Sequence, residues 1–479
     1  MKSAAVVGAG FAGLTAALKL AEAGVVVDVF EACDRPGGRA QRLVSEDGRF
    51  TFDMGPTLIV MTQVLRQVLG DESFDALRLR RLEPGYSVRW PSGERFDMHS
   101  DIALWLDNVQ RFEGRRCAAR ALDYVARVYE QYIESRDNIL AVDFKAASII
   151  GQLLRWRKLR PWALGNLRKF TQEYFANRRV VEALTFQSLY LGLSPQRSPA
   201  IYSLLPVVEI VDGLWYPPGG TASIVDAFVG ACTARGVRIH YSSPVSNVPL
   251  GERRAAGVVV GGRLHPADAV IIASDREPAL TGLLAERPRR SRLRYGHSAM
   301  LTYLGISGSV DLPHHSVLLP DDPWAAYREL DEGVVPQRPP VYVCNPSRSD
   351  ESLAPSGFST LLILTPVPNR AALHECDERA VYERAVDILE QHTGPIAGRI
   401  VYRRTRGPAQ FERELGLAHG AAFGPDHGLG QMGPLRPSIG YYGAPNVAFA
   451  GSGTRPGSGV PLVMMSGRLA AERIMQTAG

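Results

Sequence analysis

Three glycine-bearing segments carry the residue types and spacings that could do chemistry. The first is GAGFAG, which sets Gly8, Gly10 and Gly13 at G-x-G-x-x-G spacing between an apolar run and a helix-forming one. Gly8 permits a tight turn, Gly10 lets the backbone approach a pyrophosphate, and Gly13 allows a helix to pack close on a strand, with the helix N-terminus facing the phosphates. With 47 glycines in the chain the string alone says little. Its placement decides: it follows an apolar strand, opens a helix, and is answered by Glu31 at the end of the next apolar run, where an acid can bind ribose hydroxyls. The second segment, RPGGRA, puts Gly37 and Gly38 where backbone can pass close to a bulky ligand, and Arg39 where a charge-assisted hydrogen bond to a pyrophosphate is available. FDMGP, around Asp53, follows it. The third, residues 446–474, delivers a strand to the glycine-rich loop that holds Gly451 and Gly459, then starts a helix at Val460 and Pro461 with its positive dipole end toward whatever the loop holds.

These segments need elements to position them. Residues 4–31 read as strand, glycine turn, helix and strand, the helix ending where Gly24 offers a cap. From Tyr216 a glycine turn (WYPPGG) precedes an amphipathic helix that Gly236 ends, and VRIHY returns as a strand. GVVVGG through ADAVIIAS predicts a hairpin with one further strand. Helical periodicity dominates from about 103 to 193, and between about 292 and 402 strand-like runs are followed by a helix at RAVYERAVDILEQH. The fold expected is α/β: a discontinuous Rossmann-type domain (1–100, 203–290 and 412–479), a helical, membrane-contacting region (101–202), and a second substrate domain of mixed sheet plus helices (291–411).

G-x-G-x-x-G, a ribose acid and then GGR resemble the flavin-binding superfamily of amine oxidases and carotenoid desaturases. Within it the chain is similar to the bacterial phytoene desaturase family nearly end to end, through FDMGPTLIVM, FQSLYLGLSP, WYPPGG, LPHH, VCNPSRSD, LAPSG and AFGPDHGLGQMGPLRPS, in that order. The resemblance implies FAD, with Gly8, Gly10, Gly13, Glu31, Gly37, Gly38, Arg39, Val245, Gly451, Gly459, Val460 and Pro461 as the cofactor-binding set. It implies that backbone N–H groups around Gly459 to Leu462 stabilise negative charge on the reduced ring. The family stretch Thr-His-Pro-Gly-x-Gly has Arg455 in its His place here; Arg cannot serve as a general acid, though it offers positive charge, and it is the one catalytic candidate a motif supplies. His419 and His427 lie in segments expected near the same ring. The implied activity is desaturation of an apolar polyene, phytoene or a relative, by hydride transfer to flavin N5 with loss of a proton from the neighbouring carbon. Desaturation of a shorter or hydroxylated carotenoid, isomerisation, oxygenation, amine oxidation and a GDI-like lipid escort role share the fold, and oxygen and a quinone both fit as terminal electron acceptor.

The remaining features set bounds. A length of 479 residues, 45% apolar and 22% charged, suits two or three domains, and a net charge of +5 gives no reason to expect nucleic acid. Five cysteines without clustered spacing point to a reducing compartment and away from a disulfide framework. The first strand begins too early for a signal peptide, and no apolar run reaches the ~18 residues of a membrane span. The location expected is therefore cytoplasmic, peripheral to the inner face of the membrane. Residues 153–170 interleave Arg and Lys with Trp156, Trp162 and Phe170, which suits either a helix lying in anionic headgroups or a solvated basic face with core tryptophans. FQSLYLGL suits a substrate tunnel or plain core. The adjacent pair His314 and His315 lacks the i, i+4 spacing and nearby acids of a metal site, and no metal is expected.

Overall fold

The computed structural model describes residues 1–136, 140, 161–287, 293–373 and 376–478. Its organising layer is a five-stranded, wholly parallel sheet of β1 (Ser3–Val7), β2 (Val26–Phe30), β3 (Arg238–His240), β4 (Ala269–Ile272) and β5 (Val447–Phe449), in the order β5-β4-β1-β2-β3. A parallel sheet is covered on both faces, so its central strands carry continuous apolar runs; β4 (AVII) is buried at every position. Three helices close one face: α1 (Phe11–Glu22), α2 (Thr221–Ala234) and α3 (Val460–Ala478).

Small residues make α1 fit. A methyl on Gly13 would overlap the carbonyl oxygen of Gly8 and lie 3.2 Å from Ala273 Cβ, and one on Gly467 of α3 would overlap the carbonyl oxygen of Ala12. Strand turn, α1 and α3 are thus stacked through two glycines that admit no side chain. Helix α1 ends where the Gly24 N–H bonds Ala21 O with Gly24 at φ +79°. A three-stranded antiparallel meander (Val245–Asn247, Gly257–Val260, Arg263–Pro266) covers the other face, as the hairpin expectation requires.

The second layer is a seven-stranded mixed sheet, in spatial order Ile400–Arg406, Ser298–Ser307, Phe358–Val367, Val341–Cys344, His315–Leu318, Tyr86–Arg89 and Arg95–Met98. Its two ten-residue strands pair from Ser298↔Val367 to Ser307↔Phe358. Side-chain alternation divides them. Leu304, Ile306, Leu361 and Ile363 pack under helix Glu378–Thr393, while Leu301, Tyr303 and Leu362 face the helical region through Trp105, Tyr124 and Phe170. Strands Tyr86–Arg89 and Arg95–Met98, expected with the dinucleotide half, pair in this sheet instead: Tyr86–Arg89 runs parallel to His315–Leu318, a long-range pairing that no local pattern announces.

Asp53 ties the layers together. Its carboxylate accepts the N–H groups of Thr221 (2.9 Å) and Ala222 (3.1 Å) at the start of α2, where a methyl on Gly220 would stand 2.6 Å from it. Burial pushes this carboxyl up to about 6 against the pull of the two N–H donors.

Candidate functional site

Every chemistry-bearing loop of the parallel sheet leaves the C-terminal end of a strand, the edge where open α/β sheets bind ligands. The turn after β1 holds Gly8 at φ +102°. Beyond β2, Glu31 accepts the N–H of Ala9 (2.7 Å) on one oxygen and of Cys33 (2.9 Å) on the other, fixing the carboxylate against the first glycine loop. The Gly37 N–H bonds Ala9 O at 2.8 Å, so the second segment lies directly on the first. Backbone N–H groups of Ser242 and Ser243 bond the carbonyls of Cys33 (2.9 Å) and Glu31 (2.8 Å), leading the chain past Glu31 to Val245.

After β5, a methyl on Gly451 would lie 3.9 Å from Ala12 Cβ, and the Gly451 N–H donates to Ser466 Oγ (3.0 Å). The third segment therefore sits over the first turn of α1. The fold thus brings Gly8, Gly10, Gly13, Glu31, Gly37, Gly38, Arg39, Gly451, Gly459, Val460 and Pro461 to one edge, from segments some 400 residues apart.

This edge passes a test of fit for a dinucleotide. A methyl on Gly10 would meet nothing nearer than Gly37 O at 3.9 Å, and one on Gly459 meets nothing within 4 Å, so both glycines face open space rather than protein. At the start of α3 the Gly459, Val460 and Leu462 N–H groups precede the first intrahelical bond, which runs from Val463 N to Gly459 O at 2.9 Å. The Arg39 guanidinium has no hydrogen-bond partner among the described residues; burial lowers its pKa, and Asp275 beyond the end of β4 pulls the other way. A half-buried cation, paired N-terminal helix turns and two open glycines form an anion cradle.

Arg455, the catalytic candidate that the motif supplies, is buried in the third segment. Its Nε donates to Arg436 O (3.1 Å) and Nη2 to Pro434 O (2.7 Å), so the guanidinium braces the loop through backbone carbonyls. Three further residues matter that sequence reasoning did not single out or did not connect. Arg436 is fully buried and donates to the carbonyls of Pro425, Asp426, Gln431, Ser452 and Thr454, with burial lowering its pKa to about 10. Asp275 accepts the Ala418 N–H (3.1 Å), and burial raises its carboxyl. An acid immediately after a strand of the parallel sheet was the signal that could have found it. His427 accepts the Ser458 N–H on Nε2 (3.2 Å) and donates from Nδ1 to Leu191 O (3.2 Å). Burial, then nearby Arg436, holds its pKa well below the ordinary histidine value, so the imidazole is neutral and locked in one tautomer. His419 packs edge-on against Tyr295, ring centroids 5.0 Å apart.

An apolar cavity opens in the second layer, lined by Phe186, Leu189, Tyr190, His297, Val317, Tyr342, Leu364 and Phe423 with neighbouring prolines. FQSLYLGL therefore lines a cavity and also contributes core: Phe186 and Leu191 are buried. Among the described lining residues there is no carboxylate. Burial holds His297 neutral, its pKa lowered to about 4, with Nε2 on Leu189 O (3.1 Å). Of the basic aromatic stretch, Trp156 lies outside the described residues; Trp162 stacks on buried Phe170 (centroids 4.3 Å apart, 12°) and serves packing. Among the described residues no helix is long and apolar enough to cross a membrane.

A dinucleotide cradle on a parallel sheet, in a chain whose second, mixed sheet carries an apolar cavity, defines an oxidoreductase of the flavoprotein type. The profile of the family of flavin containing amine oxidoreductases matches residues 11–475, and the chain belongs to that family; its cofactor is FAD. It is 34% identical to a zeta-carotene-forming phytoene desaturase of Myxococcus xanthus, over 99% of this chain and 94% of the relative. It is 31% identical to a carotenoid 3,4-desaturase of Haloarcula japonica, over 98% and 97%. The structure resembles that of an oxidoreductase from Methanosarcina mazei with a TM-score of 0.67 at 16% identity, covering 99% of this chain and all of the other, a likeness of fold alone.

Proposed function

We propose that this chain desaturates a linear carotenoid precursor, phytoene or a related polyene. The observation that carries the reading is the full-length likeness to carotenoid desaturases, 34% identity over 99% of the chain. The apolar cavity agrees with it, because a polyene offers no heteroatom and must be selected by length and shape. An amine substrate would ask for a polar pocket able to hold a cation, and the described lining has no carboxylate to pair with one.

FAD, when bound, supplies a two-electron acceptor whose N5 takes a hydride. In this reading Gly8, Gly10 and Gly13 admit the pyrophosphate, Arg39 pairs with it, Glu31 takes the ribose hydroxyls, Gly37 and Gly38 pass beside it, and Val245 borders the adenine. Gly459 and Val460 would present N–H groups to the flavin ring and Pro461, in the first turn, would start the helix whose dipole points there; Gly451 would pass the chain beside it, with Arg455 and Arg436 bracing the loop from behind. His427 holds Ser458 in place as a neutral acceptor. His297, neutral and on the cavity wall, takes the proton that leaves the carbon next to the oxidised one; a weak base suffices, because charge developing on a polyene makes that proton acidic.

The discontinuous dinucleotide-binding domain, the helical region and the substrate sheet divide the work as cofactor holder, entrance and cavity wall. A substrate dissolved in lipid is taken up at the inner face of a membrane, to which the stretch 153–170 binds peripherally through its basic residues and Trp156, with Trp162 and Phe170 engaged in packing. Anaerobic mixing of the flavin-loaded protein with phytoene in liposomes tests the reading. Bleaching of the flavin with growth of polyene absorbance is expected; a flavin that stays oxidised with phytoene but bleaches with an amine refutes it.

A further inference from the structure

Neither spacing nor nearby acids marked the adjacent histidines as a metal site in the sequence. Folding supplies what was missing. His315 and Cys344 are direct partners in the antiparallel pairing of their strands, so their side chains share one face. The ring of His314, just ahead of the strand, lies edge-on to that of His315 with centroids 4.4 Å apart. One ring nitrogen from each histidine and the Cys344 sulfur lie within 4.8 Å of one another, and all three residues are buried.

The second, independent observation concerns the unused nitrogens. His314 Nδ1 lies 2.9 Å from Ser349 Oγ, and His315 Nδ1 lies 2.8 Å from Tyr342 Oη, itself 2.6 Å from Thr57 Oγ1. The Nε2 atoms of both rings are buried without a hydrogen-bond partner among the described residues. Metal-binding imidazoles are held this way, one nitrogen on a polar partner that fixes the ring and tautomer and the other presenting a bare lone pair. A carboxylate stands close by: Tyr216, whose ring centroid lies 4.6 Å from that of His314, donates its hydroxyl to Asp350 (2.9 Å), which also accepts the Gly219 N–H (2.7 Å). A thiolate and a flanking carboxylate would offset a buried dication.

We propose that His314, His315 and Cys344 bind one divalent transition-metal ion, zinc by the mixed nitrogen and sulfur donor set. Tetrahedral zinc places such donors about 3.5 Å apart, so binding closes the present spacing by about 1 Å. Cys344 gives up its thiol proton to solvent as the Zn–S bond forms, with no change of oxidation state. The ion would clamp strand His315–Leu318 to Val341–Cys344 at the back of the cavity that Tyr342 lines, a positioning role separate from hydride transfer.

Metal analysis of the flavin-loaded protein, purified without chelator, tests the site. About one zinc per flavin is expected, falling at least tenfold in Cys344→Ala and in His315→Ala with flavin content unchanged. Chelator-treated wild-type protein given Co²⁺ should show a thiolate-to-cobalt charge-transfer band in the difference spectrum. Background metal in the purified wild type together with no uptake of Zn²⁺ or Co²⁺ overturns the proposal, and so does undiminished zinc in both variants. If a variant fails to hold flavin, the wild-type cobalt spectrum decides alone: the band supports the site and its absence refutes it.

Discussion

The dinucleotide edge and the apolar cavity are made of different material. The first is built from backbone: open glycines, strand-end turns and two helix N-termini, with Glu31 and Arg39 as its main side chains. The second is built from side chains drawn from residues 186 to 423 and held in place by a buried polar network. Backbone sites tolerate almost no added atoms, whereas side-chain sites tolerate exchange but depend on burial and protonation.

The largest effect expected is at Gly13. Gly13→Val drives its side chain into the Gly8 carbonyl and should cost more than about 4 kcal/mol, leaving little soluble flavoprotein. A variant with wild-type yield and melting temperature would break the backbone half of the comparison. Gly10→Val sharpens it: the position faces open space, so the fold should survive within a few degrees of the wild-type melting temperature while bound flavin falls at least tenfold. A fully yellow Gly10→Val protein would contradict the cofactor placement.

The cavity side is probed by pH. Buried Glu209 accepts the Tyr86 hydroxyl (2.8 Å), and desolvation raises its carboxyl from 4.5 to about 8. An acid that binds its proton more tightly in the fold stabilises most below its unfolded value, near 4.5, and stability is lost as pH rises toward about 8. Thermal melts should therefore fall from pH 5 to pH 8, and Glu209→Gln should flatten that slope; parallel slopes in the two proteins would refute the assignment. The smallest change is Tyr190→Phe. That buried hydroxyl has no hydrogen-bond partner among the described residues, so its removal should leave stability unchanged or raise it by up to about 1 kcal/mol, and a loss larger than that would reveal a partner.

The same contrast explains what was legible in the sequence. The glycine fingerprint, Glu31, the GGR segment and the closing loop were readable because each is local: a strand, a turn and a helix lie together in the chain and demand particular residue types. Arg39 was readable because it rides on that local pattern. Asp275, Arg436 and the His427–Ser458 contact were not, since their roles arise from bonds to carbonyls and N–H groups that tertiary packing alone brings near. The motif position of Arg455 was legible, but the carbonyls of Arg436 and Pro434 that hold its guanidinium were not, since they too are brought near by packing. The strands at 86–98 were misplaced because a parallel pairing across more than 200 residues leaves no periodic trace. His314 and His315 needed Cys344 from the opposite strand before they formed a cluster at all.

The most direct test of the central claim is the visible absorption spectrum of lipid extracts from phytoene-accumulating cells, with and without this protein. Desaturation predicts new long-wavelength bands whose position reports the number of conjugated double bonds added. A colourless extract holding unchanged phytoene, from cells that contain the soluble flavin-loaded protein, would contradict it.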